Sequence, residues 1–295
     1  MNKYLGILAV ILASLLWGTT GTAATFAPAL SPLFIGSFAM GIGGILQCGL
    51  ATVKIVHDRA LLAVHCKFLI VGALAVAIYP LAFYSSMRLS GVIIGTVVSI
   101  GLAPILSAII EYFSRDFQLN KQWATGALLG IIGMVMLAFS DNASTTIQYT
   151  HVNLGILLGL VAGLTYALYS WSARQLMLKG VNTKAAMGAT FGCGGLLLIP
   201  VMLITGSAFV NSWNNMAVGF YMALIPMFLG YRCYGFGLSK ISASMATTIT
   251  LLEPVIAAIL AMLIVGECLS LIGWIGMLLI FICLIMVTLS SLANN

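Results

Sequence analysis

A lone carboxylate inside a long apolar run is the strongest chemical signal in this chain: Glu253 lies within Ile241 to Val265, with Pro254 directly after it. An acidic residue at the centre of a membrane helix is penalised by about 2.5 to 3.5 kcal/mol, so something must compensate it. Two readings stay open. In the structural one, Pro254 cannot donate to the carbonyl of Thr250, and a protonated Glu253 bonds that carbonyl or a neighbouring helix. In the functional one, the carboxyl carries a proton or binds a cationic solute. Arg232 is the only cation inside a run at comparable reach. It sits about two turns before the end of its run, so its stem can snorkel to headgroups or its head can line a cavity.

Trp17, Tyr79, Tyr166 and Tyr169 lie deep in other apolar runs. Tyr166 and Tyr169 share a helix face at i,i+3, and buried phenol and indole groups need polar partners in lipid. Packing explains each alone; a polar cavity would explain them together. Gly95, Ser99, Ala103 and Ser107 recur at every fourth position, as do Ala246, Thr250, Pro254 and Ala258. Such stripes either let backbones approach closely or line a substrate path. His57, His65 and Cys66 lack the spacing that gathers ligands on one metal, so Lys54 to Lys67 reads as a solvated loop and no metal site is expected. The six cysteines are scattered and imply no disulfide framework. No phosphate-binding glycine loop is present, so neither a nucleotide cofactor nor ATP coupling is expected. Catalysis within the membrane would need paired histidines or aspartates that the runs do not hold, so the chain does not read as an enzyme.

The elements that carry these residues follow from composition. Hydrophobic residues make up 62% of the 295-residue chain and charged ones 6%, with a mean hydropathy of +1.15. A water-soluble fold could not cover itself with so little polar surface, so the solvent is lipid. A spanning helix needs roughly 20 apolar residues, and the chain divides into about ten such runs. Their expected limits are Tyr4 to Thr25, Pro32 to Val53, Phe68 to Met87, Ser90 to Tyr112, Trp123 to Phe139, Leu154 to Ala173, Ala185 to Thr205, Met216 to Gly237, Ile241 to Val265 and Leu271 to Leu289. Trp123, Trp213 and Trp274 near span starts read as interfacial belt residues. The first run also has features of a secretory signal, but it is long for one and has an internal counterpart, so it is expected to remain.

Lysines and arginines orient the bundle. With the N-terminus in the cytoplasm, Lys3, Lys54, Arg59, Lys67, Arg115, Lys121, Arg174, Lys179, Lys184 and Lys240 fall at inner ends, and Arg88 falls outside. The net charge of +6 therefore reports topology, not nucleic-acid binding. An even number of spans returns the C-terminus to the cytoplasm.

The chain also repeats. Leu5-Gly6-Ile7-Leu8 recurs as Leu154-Gly155-Ile156-Leu157, Ala103-Pro104 recurs as Glu253-Pro254, and Tyr84 with Tyr234, Ser90-Gly91 with Lys240-Ile241 and Gly126 with Gly276 keep the same offset of 149 to 150 residues. Residues 1–140 and 154–295 are then two five-helix repeats, joined by an outer loop at 141–153. Five is odd, so equivalent helices cross in opposite directions, and the fold expected is an all-α membrane protein of ten helices in two inverted repeats. Trp17 occupies the place that Tyr166 holds in the second half.

Ala13-Ser14-Leu15-Leu16-Trp17-Gly18, Leu251-Leu252-Glu253-Pro254-Val255, Gly266-Glu267 and the Gly273-x-x-Gly276 start of the last span resemble the EamA-domain family of the drug/metabolite transporter superfamily. The resemblance implies a central cavity near the midplane and movement of amino acids or other small metabolites, often outward. The first half departs from the pattern, with Ala103-Pro104 and Arg115-Asp116 where the second half has Glu253-Pro254 and Gly266-Glu267. The expectation is a secondary transporter of the bacterial inner membrane that exports small organic metabolites (amino acid, amine or carboxylate) by alternating access. Trp17, Tyr79, Ser99, Tyr166, Tyr169, Arg232 and Glu253 would bind the solute, with Glu253 also the coupling group and protons the candidate coupling ion. An uptake permease of the same fold and a non-transporting subunit of a membrane complex are the alternatives.

Overall fold

A computed structural model describes residues 2–114, 121–139, 151–265 and 269–293. Ten helices in it are long and apolar enough to span a bilayer: Lys3–Thr25, Pro32–His57, Cys66–Ser90, Ile94–Phe113, Lys121–Ala138, Val152–Leu178, Thr183–Thr205, Trp213–Leu238, Ala243–Ile264 and Leu271–Leu289. They are called the first to the tenth span below. The stretch 140–150, which holds most of the expected connecting loop, and the pairs Arg115-Asp116 and Gly266-Glu267 lie outside the described residues.

Capping residues set several helix starts. Ser31 accepts the Phe34 N–H at 3.1 Å, directly before Pro32, whose missing donor is harmless in a first turn. Asn182, Ser212 and Ser242 cap the seventh, eighth and ninth spans in the same way. Gly91, at φ 90°, supplies the left-handed turn between the third and fourth spans.

The segment Lys54 to Lys67 corrects an expectation. It is helical, not a loop: the second span runs to His57 and a short helix follows at Arg59–Val64. Asp58, at the break, is buried and accepts the backbone N–H of Asn182 at 2.7 Å. Its own neighbour, His57, bonds the other carboxylate oxygen through Nδ1 at 2.7 Å. These two hydrogen bonds, His57 first, hold the Asp58 carboxyl below the usual carboxylate range. Trp123 is a second correction. Trp213 and Trp274 are exposed as belt residues should be, but Trp123 is buried in the bundle.

The helices pack in a pattern that survives exchange of the halves. The second span packs on the seventh and the fifth on the tenth, each pairing a helix with its own copy. The third span packs on the sixth as the eighth packs on the first, and the fourth packs on the sixth as the ninth packs on the first. This is the arrangement of inverted repeats. It also explains the opening sequence match. A Cβ at Gly6 would lie 2.6 Å from the Cβ of Lys240, and one at Gly155 would lie 2.6 Å from the Cβ of Ser90. Both glycines are kept at equivalent crossings where a side chain does not fit.

The symmetry fails in the eighth and ninth spans. The eighth changes from α-helix to a wider π-helical stretch over Ala223–Gly230, which contains Pro226, before resuming at Tyr231. The ninth breaks between Ile249 and Leu252, then loosens to π-helix at Ala261–Val265. Such irregularity inside lipid is tolerated where it is buried in protein or borders a cavity.

Candidate substrate cavity

A cavity lies where six spans meet, three from each half. Trp17 and Thr20 reach it from the first span, Gly36 and Met40 from the second, and Tyr79, Phe83 and Tyr84 from the third. Tyr166 and Tyr169 come from the sixth span, Met227 and Tyr231 from the eighth, and Glu253 from the ninth. Of the seven residues singled out by sequence, five therefore come together here.

The aromatic groups are packed in a connected cage. Tyr166 and Tyr169 stack at 5.2 Å between ring centroids, with Tyr79 5.5 Å from the first and 5.7 Å from the second. Trp17 lies 4.7 Å from Tyr231. Hydroxyls find partners inside the cage: Tyr166 bonds Thr250 at 2.8 Å, Tyr169 bonds Tyr231 at 2.9 Å, and Tyr234 bonds Ser170 at 2.8 Å. Trp17 donates its indole N–H to the carbonyl of Pro226 at 2.9 Å, within the π-helical stretch. The distorted backbone of the eighth span thus holds one wall of the cavity in place.

Glu253 is different. Its carboxylate makes no hydrogen bond or ion pair with the described residues. The structural role expected from Pro254 is already taken. The carbonyl of Thr250 accepts the backbone N–H of Glu253 at 3.0 Å, a tight turn that satisfies the group a proline would orphan. The side chain is left to face the cavity. With a volume of about 40 Å³, the cavity holds about three water molecules. A metabolite could enter only with movement of the walls.

Arg232 and Ser99 are placed elsewhere. One residue beyond Tyr231, Arg232 is turned by about 100° around the helix and faces a separate pocket with Gln47 and Lys184, not Glu253. Ser99 is fully buried, and a Cβ at Gly163 in the sixth span would lie 2.8 Å from its carbonyl oxygen. The small-residue stripe of the fourth span is there a packing face.

Tyr231 and Glu111 do not stand out in the sequence, and Tyr84 and Tyr234 stand out only as repeat partners. Tyr231 and Tyr234 repeat the i,i+3 spacing of Tyr166 and Tyr169, which was the available signal. Glu111 stands two residues before the end of the fourth span and is 1% exposed. Its carboxylate oxygens accept the N–H groups of Ala243 at 2.7 Å and Ser244 at 3.1 Å, capping the start of the ninth span from the other half. Arg174 donates to the carbonyl of Leu238 at the same end of the bundle.

A profile of the EamA-like transporter family matches residues 4–139 and 153–289, one copy on each half. This chain belongs to the EamA-like transporter family. The transporter YwfM of Bacillus subtilis is 28% identical over 280 residues, spanning 95% of this chain and 92% of that protein. The inner membrane transporter YicL of Salmonella typhimurium is 25% identical across 97% of this chain and 96% of its own length, and the protein PecM of Dickeya dadantii is 26% identical across 95% and 91%. A crystal structure with 18% sequence identity superposes with a TM-score of 0.80 over 98% of both chains, which shows the shared fold. This EamA-like protein is thus an integral membrane transporter built on ten helices.

Proposed function

We propose that this EamA-like protein carries a small organic solute bearing an amine, such as an amino acid or a simple amine, by alternating access between its two inverted halves. The observation that supports it is the Glu253 carboxylate, without a hydrogen-bond or ion-pair partner among the described residues, facing a cage of tyrosines and Trp17. A carboxylate beside aromatic faces attracts an ammonium group by charge and by cation–π contact, and a site with little water strengthens both. Among the described residues no lysine or arginine lines the cavity, so a carboxylate solute without an amine fits poorly.

One carboxyl binds either a proton or an ammonium group. Proton antiport follows, with Glu253 released from its proton as the solute arrives. Export across the inner membrane is the direction that the family resemblance suggests.

The test is flux into proteoliposomes with a panel of labelled amines, amino acids and carboxylates. Uptake of an amine-bearing solute driven by a pH gradient, with Glu253→Gln lowering it at least about tenfold, is expected. Full flux in Glu253→Gln that still responds to the gradient would sink the proton-carrier role. Flux confined to solutes without an amine would sink the substrate class. Solute accumulation in cells lacking the protein indicates export, and depletion indicates uptake.

A further inference from the structure

The larger space in this part of the bundle is not the central cavity but a pocket between the second, seventh and eighth spans, with a volume of about 370 Å³. Its polar lining is one-sided. Lys184 and Arg232 contribute two positive charges, and none of its lining residues is acidic. The seventh span starts here at Thr183, so the positive end of a 23-residue helix adds to the same field.

Gln47 lines this pocket from the second span and is 5% exposed. Beyond Asn182 and Thr183, the remaining walls are apolar. Phe228 lies 5.5 Å beneath the Arg232 guanidinium, and Leu50 and Phe236 are exposed to the surrounding lipid.

We propose that this pocket holds the phosphate of an anionic phospholipid, with Arg232 and Lys184 pairing the charge and an acyl chain running along Phe228 and Phe236. Depth agrees with this. Asn182 and Thr183 stand at a span end, where headgroups lie, and the Asp58 bond to Asn182 places the pocket at the same end as Lys54 and Arg59. A soluble anion would satisfy the donors but leave the apolar half facing nothing. Lys and Arg near a membrane surface each favour anionic lipid, and a pocket between helices makes the preference specific.

The experiment reads lipid retained by the purified full chain, using native mass spectrometry after exchange into detergent with equal phosphatidylglycerol and phosphatidylcholine. The wild type should retain phosphatidylglycerol over phosphatidylcholine by roughly tenfold or more. Lys184→Gln with Arg232→Gln should remove that preference, whereas Lys179→Gln, with the same loss of charge per site on an exposed position, should not. Lys184→Gln alone, which keeps Arg232, should weaken the preference without abolishing it, and serves if the double variant fails to fold. Equal retention of both lipids by the wild type, or an undiminished preference in the folded double variant, would overturn the proposal. So would inorganic phosphate raising the unfolding temperature as much as phosphatidylglycerol does, because the ligand would then be a free anion.

Discussion

Glu111 and Glu253 are both carboxylates within apolar helices, and what separates them is whether the protein satisfies them. Glu111 receives two backbone N–H groups from the ninth span; Glu253 receives none from the described residues. Glu111→Ala would leave two buried donors unpaired in an apolar setting, and should lower stability by about 2 kcal/mol or more in denaturant or thermal unfolding of the purified protein. Glu253→Gln should not lower stability while it lowers flux at least about tenfold, because its carboxylate makes no hydrogen bond or ion pair among the described residues and the variant removes an acid that lipid penalises. If the two variants lose stability equally, the division of labour between these acids is wrong. Tyr166→Phe should fall between them, losing one hydrogen bond to Thr250 worth about 1 kcal/mol. Glu253 was legible in the sequence because it stands alone in an apolar run. Glu111 was not, because a carboxylate so close to a span end looks like any interfacial residue until its partner, 132 positions away, is placed beside it.

At the scale of elements, close backbone crossings and helix breaks do different work. Gly133 and Gly276 face each other where the fifth span meets the tenth: a Cβ at Gly133 would lie 2.6 Å from the Gly276 carbonyl oxygen. The obstacle is backbone, which cannot rotate away, so Gly133→Ala should force the pair apart and destabilise the protein by about 1 to 3 kcal/mol. An unfolding temperature equal to the wild type's would refute the tight crossing. Helix existence was readable from apolar run length, and every span predicted from the sequence is present with ends shifted by a few residues. The π-helical stretch at Ala223–Gly230 was not readable, since Pro226 marks a disturbance but not its form. Within it, the Pro226 carbonyl accepts the indole N–H of Trp17 from the first half of the chain, a contact that the linear sequence does not show.

On the scale of the whole molecule, Asp58 ties the second span to the start of the seventh. Because its folded carboxyl is held below the usual range, its contribution is present above the unfolded value and is lost as pH falls through the folded one. The stability difference between wild type and Asp58→Asn should thus be full at neutral pH and shrink in acid, below about pH 4; a difference that grows in acid would contradict the sign. Orientation is a further expectation: reporters fused to either end should both show cytoplasmic location, following the lysine and arginine bias. The sequence by itself determined that this is a ten-helix membrane protein of two related halves, because apolar length and a repeat offset are properties of the linear chain and the bilayer tolerates few alternatives. Only tertiary structure decided which residues share the cavity. Tyr231 and Arg232 are adjacent in the chain yet face different pockets, and Trp17 and Tyr231 are far apart in it yet touch, because a helix turns neighbours apart while the folded halves bring distant faces together.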